Sequence, residues 1–311
     1  MDIPTLKQTA SDRLSAAPYS PHKLSLLHAG AAVAVSLLLT LVNFLLTRQL
    51  DATSGLSGIT TRTILSFAQS MLMLAGTVAM PFWEFGFYRS ALNIARNEPA
   101  TPATLLSGFR RFGVVLRLLL LRSALVTGIL FACLQAATIL FMLSPWSVLT
   151  METAEQLLSS GAAMEESAMN QMMQTMYPLY ILLAILVCVV LFPILYRFRL
   201  SDWAVMDDTD KALQAMKYSA YWMHRKRMWL FRLDLSFWWY YALMGVASLV
   251  AYGDMVLPVL GVQMNEDLAF FLFYLLSALV QLLTAWRFAP QVQTTYALAY
   301  SALRAEKELK I

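Results

Sequence analysis

Six long apolar runs separated by polar loops dominate the pattern of this chain. They cover residues 24–47, 63–87, 112–143, 177–196, 229–252 and 268–288. A helix needs about 20 apolar residues to cross the hydrocarbon core of a bilayer, and every run reaches that length. Gly30 and Ala34, four residues apart in the first run, favour close helix packing. The pattern therefore predicts an all-α polytopic membrane protein with six transmembrane helices.

Two segments outside the six runs also have helical patterns. Residues 150–176 are rich in Ala, Met, Glu and Gln, which favour helix, and we predict a helical loop on the outer side. Residues 203–228 place Met216 and Met223 at helical spacing among basic residues, after a helix start at 207–210. They predict an amphipathic helix on the cytoplasmic membrane surface. A solvated helical linker is the alternative.

The loops between the runs divide by charge. Of the 23 Lys and Arg, only Arg48 and Arg62 lie in the loops after the first, third and fifth runs. Cytoplasmic loops of membrane proteins carry an excess of Lys and Arg, so the basic side is predicted to be cytoplasmic. The terminal segments 1–23 and 289–311 lie on that side, and we therefore expect both termini in the cytoplasm.

Composition agrees with a single membrane domain over residues 1–311. The chain is 59% hydrophobic and only 14% charged, whereas soluble domains carry about 25% charged residues. The net charge of +4 could suggest nucleic acid, but the basic residues lie beside apolar runs. That position suits the lipid bilayer and anionic headgroups of the cytoplasmic leaflet, which are the partners that we predict. The predicted headgroup contacts are Lys211, Lys217, Arg225, Lys226 and Arg227.

A layer of charges at the inner ends of the runs is the sharpest candidate site. Its members are Glu84, Arg117, Arg122, Arg232, Asp234 and Arg287. We expect Glu84 to pair with Arg117 or Arg122, and Asp234 with Arg232 or Arg287. Charge at membrane depth is costly and usually faces a bundle interior or a water-filled cavity. The layer is either a cytoplasm-facing cavity for an anionic headgroup or solute or, as we favour, a set of ion pairs joining helix ends.

Motifs for catalysis or metal binding are missing from the sequence. It contains no HExxH, no Gly-rich phosphate loop and no GxSxG. Four methionines share one helical face, which is more typical of packing than of Cu(I) binding: Met169, Met172, Met173 and Met176. We predict no metal, no cofactor and no enzymatic activity. A membrane-bound enzyme would need an unexpected cluster of acidic side chains around His224.

Residues 219–243 read SAYWMHRKRMWLFRLDLSFWWYYAL. This stretch resembles a signature of domain-of-unknown-function family 975, whose members are uncharacterised bacterial multi-pass membrane proteins. The matching residues are Ser219, Met223, Leu230, Phe231, Leu233, Asp234, Leu235, Ser236 and Phe237. Arg225 stands where the family tends to have Gly, and Trp239-Tyr240 replaces a Gly-Trp pair.

Weaker similarity extends to Leu6-Lys7 with Leu14 and to residues 106–112. The resemblance implies a six-span bundle of the bacterial cytoplasmic membrane with an amphipathic cytoplasmic segment. It implies no activity, because none is established for the family.

Two functional hypotheses remain at this point. The first is a non-enzymatic protein that binds lipid or a membrane-protein partner and supports envelope or transport processes. The second is a transporter or permease component with a cytoplasm-facing charged cavity, lined by Glu84, Arg117, Arg122 and Asp234.

Overall fold

The computed structural model describes residues 2–52, 58–159, 166–207, 209–256 and 264–308. Within these ranges the chain is helical and has no strand, which confirms the all-α prediction. The helices are α1 (Ile3–Ala16), α2 (Pro21–Ala52), α3 (Gly58–Ala95), α4 (Ser107–Arg110), α5 (Phe112–Met142), α6 (Pro145–Ser159), α7 (Glu166–Phe198), α8 (Ser201–Asp207), α9 (Ala212–Trp222), α10 (Arg227–Leu235), α11 (Trp238–Val250), α12 (Gly253–Val256) and α13 (Glu266–Glu308). A short 3-10 helix, Pro102–Leu106, precedes α4.

Five helices in the described ranges are long and apolar enough to cross a membrane, namely α2, α3, α5, α7 and α13. The pair α10 and α11 makes a sixth span if the two are taken together. In the most apolar window of each of the five, at most 17% of residues are buried. Exposed apolar surface of this extent needs lipid around it. The structure therefore confirms a polytopic membrane protein with five or six spans.

The fifth run is not the straight helix that its hydropathy predicted. It bends by 64° between α10 and α11. The Ser236 hydroxyl donates to the carbonyl of Leu233 at 2.6 Å, a local bond that competes with helix continuation. The ammonium of Lys7 donates to the Ser236 carbonyl at 2.7 Å and lies 3.9 Å from the centre of the Phe237 ring. A cation from α1 therefore satisfies a carbonyl at the break.

The sixth run, by contrast, continues beyond its predicted end. Helix α13 passes through Pro290 and reaches Glu308, so most of the C-terminal segment extends the span. Proline leaves the carbonyl four residues earlier without its helical donor. Here that carbonyl belongs to Trp286, and Nδ1 of His22 donates to it at 3.1 Å. A side chain from α2 thus replaces the missing hydrogen bond.

The N-terminal segment is also more ordered than its polarity suggested. The Asp2 carboxylate accepts from the amide of Ile3 and caps α1. Leu6 and Ala10, four residues apart on one face, are completely buried in α1, which packs against α13 and α3. Helix α1 is therefore an integral part of the fold.

The amphipathic segment is helical as predicted, and part of its apolar face is buried within the protein. Trp203 of α8, Met216 and Trp222 of α9, and Met223 directly after α9 are buried in the same core as residues of α3, α5 and α13. They are buried because α9 folds back onto α5 and α8. Leu213, by contrast, is 57% exposed, so contact of this segment with the membrane surface stays a prediction.

Two expectations fall partly or wholly beyond the described residues. Helices α6 and α7 confirm that the predicted outer loop is helical over 150–159 and 166–176, while its side of the membrane stays a prediction and 160–165 lie outside the described residues. The same is true of the Met169 and Met172 side chains and of Asp208, so the shared methionine face stays a prediction.

Most of the buried core lies at one end of the bundle, which we call the basic end. It comprises α1, α8, α9, α10, the start of α5 and the C-terminal parts of α3 and α13. Along α7, by contrast, none of residues 173–199 is buried. Helices α5 and α7 pack on each other, while α2, α3, α11 and α13 form a four-helix group. The basic end joins these two units.

Two glycines allow the tightest backbone contact at the basic end. A Cβ on Gly86 of α3 would overlap the carbonyl of Leu105, and a Cβ on Gly108 of α4 would overlap the carbonyl of Phe82. Gly30, which the sequence favoured as a packing position, has no such neighbour. The close approach therefore joins α3 to the segment before α5.

We expect Gly108→Ala to destabilise the protein by about 1–3 kcal/mol, the usual cost of overpacking. The new methyl group meets a backbone carbonyl that cannot rotate away. Gly113→Ala is the matched control, because a Cβ on Gly113 meets nothing within 4 Å. Thermal unfolding in detergent, followed by tryptophan fluorescence, measures both variants. Equal midpoints for the two would contradict the close contact.

A charged cavity and a buried carboxylate at the basic end

A cavity of about 500 Å³ lies at the basic end, between the α5–α7 unit and the four-helix group. We call it the charged cavity. The polar side chains that concern its chemistry are Glu84, Tyr88, Arg122, Arg199, Asp202 and Tyr241. Its volume falls in the range of about 300–1,000 Å³ typical of ligand pockets.

One guanidinium in the charged cavity is paired with a carboxylate. Arg122 of α5 donates from Nη1 to both carboxylate oxygens of Asp202, at 2.9 and 3.2 Å. This pair joins α5 to α8. The structure thus gives Arg122 a partner other than Glu84, the one expected from the sequence.

A second guanidinium is held more loosely. Arg199 lies 3.9 Å from Oδ1 of Asp234, and that oxygen is buried without a hydrogen-bond donor in the described part of the chain. The other oxygen of Asp234 accepts from the Tyr196 hydroxyl. Asp234 therefore pairs with Tyr196 of α7 and with Arg199 directly after α7, rather than with Arg232 or Arg287. Arg199 also bonds the Tyr241 hydroxyl and lies 5.7 Å from the ring centre of Tyr296, but Asp234 is its only ion-pair partner among the described residues.

Glu84 faces the charged cavity without a cation. Its Oε1 accepts from the Tyr88 hydroxyl at 2.6 Å. Among the described residues, no Lys, Arg or His nitrogen lies within ion-pair distance of it. The cavity thus offers one unpaired carboxylate and one loosely paired guanidinium.

The remaining members of the predicted charge layer lie elsewhere. The side chains of Arg117, Arg232 and Arg287 are exposed and do not line the charged cavity. Arg287 lies 5.9 Å from the ring centre of Phe288. The structure therefore divides the layer, bringing Glu84 and Arg122 into one cavity with Asp234 close to Arg199.

The predicted headgroup contacts also divide. Lys211, Lys217 and Arg225 are exposed, whereas Lys226 binds Glu306 of α13 at 2.9 Å. Arg227 is half-buried. The exposed residues remain predicted contacts for anionic lipid.

Sequence reasoning missed the most densely bonded carboxylate at the basic end, Asp207. The acidic run at 207–210 was interpreted as a helix start, but α9 begins at Ala212 and has no side-chain cap. Asp207 instead ends α8, and its side chain is only 5% exposed. The one sequence signal that could have indicated it is that Asp207 is an acidic residue in a loop on the otherwise basic side of the membrane.

Three arginines surround Asp207. Arg96, directly after α3, contacts both carboxylate oxygens, and Arg304 of α13 donates to Oδ2 at 2.7 Å. Arg89 lies 3.8 Å away and donates to the Met206 carbonyl at 2.8 Å. The hydrogen bonds to Asp207 raise the pKa of Arg96, which favours its charged form. We call this set the Asp207 cluster; it ties α8 to α3 and α13.

The described residues contain no group of three or more His, Cys, Asp or Glu side chains placed to hold a metal ion. The fold and the site together define a class, a helical polytopic membrane protein with a charged cavity at the end that carries α1 and the end of α13. No protein-family model, curated protein or solved structure matches this chain.

We expect Asp207→Asn to destabilise the protein by about 3–5 kcal/mol, the range found when one partner of a buried ion pair is removed. The arginines would face one another without their shared anion. Asp210→Asn is the matched control three residues away, because Asp210 is 87% exposed and lies 3.8 Å from Arg111. Such exposed pairs contribute about 0–1 kcal/mol. Similar unfolding midpoints for the two variants would contradict a structural role for the cluster.

Proposed function

We propose that this chain is a non-enzymatic integral membrane protein that binds a zwitterionic headgroup in the charged cavity. The observation that carries the proposal is the pairing state of the two cavity groups. Arg199 has only a loose carboxylate partner at 3.9 Å and suits a phosphate or carboxylate, whereas Glu84 has no cation among the described residues and suits an ammonium group. A ligand with both charges satisfies both groups without leaving a net charge in the cavity.

The location of the cavity favours a lipid over a soluble metabolite as the source of this headgroup. It lies where the α5–α7 unit meets the four-helix group, and α7 shows no buried residue over 173–199. Acyl chains beside α7 would contact an apolar helix surface while the headgroup occupies the cavity. The exposed Lys211, Lys217 and Arg225 would add attraction to anionic lipids around the site.

We also propose membership of domain-of-unknown-function family 975. The residues of the resembling stretch occupy defined positions in the fold, with Leu230, Leu233 and Phe237 buried in the core. Arg225, at the family's usual glycine position, has φ 63°, the left-handed region that glycine adopts most readily. That conformation gives a physical reason for a glycine preference at this turn.

The second candidate function, a permease component, is favoured by a different observation. One further cavity shares lining residues with the charged cavity, and a second shares lining residues with the first of these, both inside the four-helix group. Broken spans such as α10–α11 also line the binding sites of many transporters.

A short-chain phosphatidylethanolamine below its micellar concentration tests the headgroup site. We expect it to raise the unfolding midpoint of the detergent-solubilised protein, and we expect Arg199→Gln and Glu84→Gln to lose at least half of that rise. Arg197→Gln is the matched control, since Arg197 is exposed two residues away, in the last turn of α7. Soluble phosphoethanolamine and inorganic phosphate form the other two arms.

The arms separate the sources of the ligand chemistry. Stabilisation by the lipid above that by phosphoethanolamine supports a lipid, and equal stabilisation indicates a soluble zwitterion. A rise in the unfolding midpoint with inorganic phosphate but with neither zwitterion would overturn the zwitterion site. So would a loss of stabilisation in Arg197→Gln as large as that in Arg199→Gln.

The sidedness of the protein is a further part of the proposal. We propose that the basic end faces the cytoplasm of a bacterial cell, because Lys and Arg concentrate there. C-terminal fusions test it: green fluorescent protein should fluoresce and alkaline phosphatase should be inactive. An active phosphatase fusion would place the basic end outside.

A further inference from the structure

One face of α13 carries a regular line of polar and small residues through the four-helix group. Its members recur every three or four residues: Tyr274, Ser277, Gln281, Ala285, Ala289 and Gln293. At about 1.5 Å per residue the line is about 29 Å long, close to the hydrocarbon thickness of a bilayer. The polar side chains on this face, those of Tyr274, Ser277, Gln281 and Gln293, need hydrogen-bond partners inside a membrane span.

Cavities lie along this face of α13 and give its polar side chains room for water. A middle cavity of about 230 Å³ shares Glu84, Tyr240 and Gln293 with the charged cavity. A far cavity of about 290 Å³ shares Ala32 and Gln281 with the middle cavity. Shared lining residues mean that the three spaces adjoin one another in sequence along α13. Since one water takes about 30 Å³, each space holds several.

The character of the lining changes along this series. Glu84, Arg122, Arg199 and Asp202 are all in the charged cavity, and of these only Glu84 reaches the middle one. The far cavity has no Asp, Glu, Lys, Arg or His in its described lining. A permanently charged solute would lose its hydration there without a counter-charge, at a cost of several kcal/mol or more.

The polar groups of the far cavity are nevertheless arranged for hydrogen bonding. The hydroxyls of Ser36 and Tyr274 lie 2.7 Å apart, and Gln281 donates to the Ser277 hydroxyl at 3.2 Å. These groups join α2 to α13 and line the space with both donors and acceptors. Ala32, Ala251 and Ala278 fill the wall between them with small side chains.

We infer that the three cavities form one passage along α13 for a small, uncharged, polar solute. The charged cavity is its mouth, and the uncharged far cavity excludes ions. The inference deepens the permease candidate, on which it rests, and it is independent of headgroup binding.

Thiol labelling tests whether the passage holds water. In a protein carrying Cys133→Ser and Cys188→Ser, we expect Ser277→Cys to react at least tenfold faster than Leu279→Cys with a small water-soluble methanethiosulfonate. Ser277 is 2% exposed but lines the far cavity, whereas Leu279 is 51% exposed on an apolar surface. Methanethiosulfonates react with thiolates, which form in water and not in lipid, so labelling reports contact with water. Surface exposure alone would predict faster labelling at 279 than at 277. Slower labelling at 277 would overturn the passage.

Solute flux tests whether the passage conducts. We expect proteoliposomes in a urea or glycerol gradient to re-swell faster than protein-free liposomes, and modification of Ser277→Cys to abolish the difference. Because the same folded sample is compared before and after modification, loss of folding cannot imitate the block. Labelling without flux above protein-free liposomes would overturn the inference in favour of a closed cavity.

Sodium lactate should give no re-swelling by this route, and lactate flux equal to urea flux would overturn the solute class. Arg199→Gln distinguishes the two proposals, since it should remove headgroup stabilisation while labelling at 277 persists. The headgroup site and the passage can therefore fail independently of each other.

Discussion

Lipid tails are as apolar as leucine, so the hydrophobic effect does not press the spans of this protein together inside the bilayer. The chain meets this constraint by placing its densest packing at the basic end. There Leu6, Trp203 and Tyr300 are buried in one core, while α7 has no buried residue over 173–199. Contacts at this end determine how the spans stand relative to one another, and hence which cavities lie between them.

The Asp207 cluster is the strongest polar part of that arrangement. A single carboxylate holds arginines from α3 and α13, and the Tyr300 hydroxyl donates to it at 3.1 Å. Arg122 and Asp202 make a comparable link between α5 and α8. Once these groups are satisfied structurally, Glu84 and Arg199 are the charged cavity groups left with capacity for a ligand. Within the predicted charge layer, Arg122 and Asp234 thus make structural pairs, whereas a functional role is proposed for Glu84.

Irregular helix geometry is supported by contacts from other helices. Lys7 donates to a carbonyl at the bend between α10 and α11, and His22 donates to the carbonyl that Pro290 leaves without a helical donor. In each case a side chain from another helix satisfies a carbonyl at the irregularity. Helix α13 therefore stays continuous through Pro290 and carries Tyr274, Ser277, Gln281 and Gln293 on one face, with Ala285 and Ala289 between them.

Local chemistry was enough to predict the class of this protein. Runs of about 20 apolar residues leave few alternatives to transmembrane helices, and α5 ends within one residue of its predicted bounds. The presence of Glu84 and Arg122 near one another also followed from their positions at the ends of neighbouring runs. These features depend on hydropathy and length, which each segment carries by itself.

Partner choice required the tertiary structure. Asp202, Asp207 and Arg199 lie in an ordinary polar stretch after the fourth run, and no local pattern indicates which arginine meets which carboxylate. The close contact at Gly108, the bend at Ser236 and the polar line on α13 likewise depend on residues distant in the sequence. Apolar patterning determines that a segment enters the membrane, but the side chains it meets there are decided by how the helices pack. For this protein, that packing is determined at the basic end.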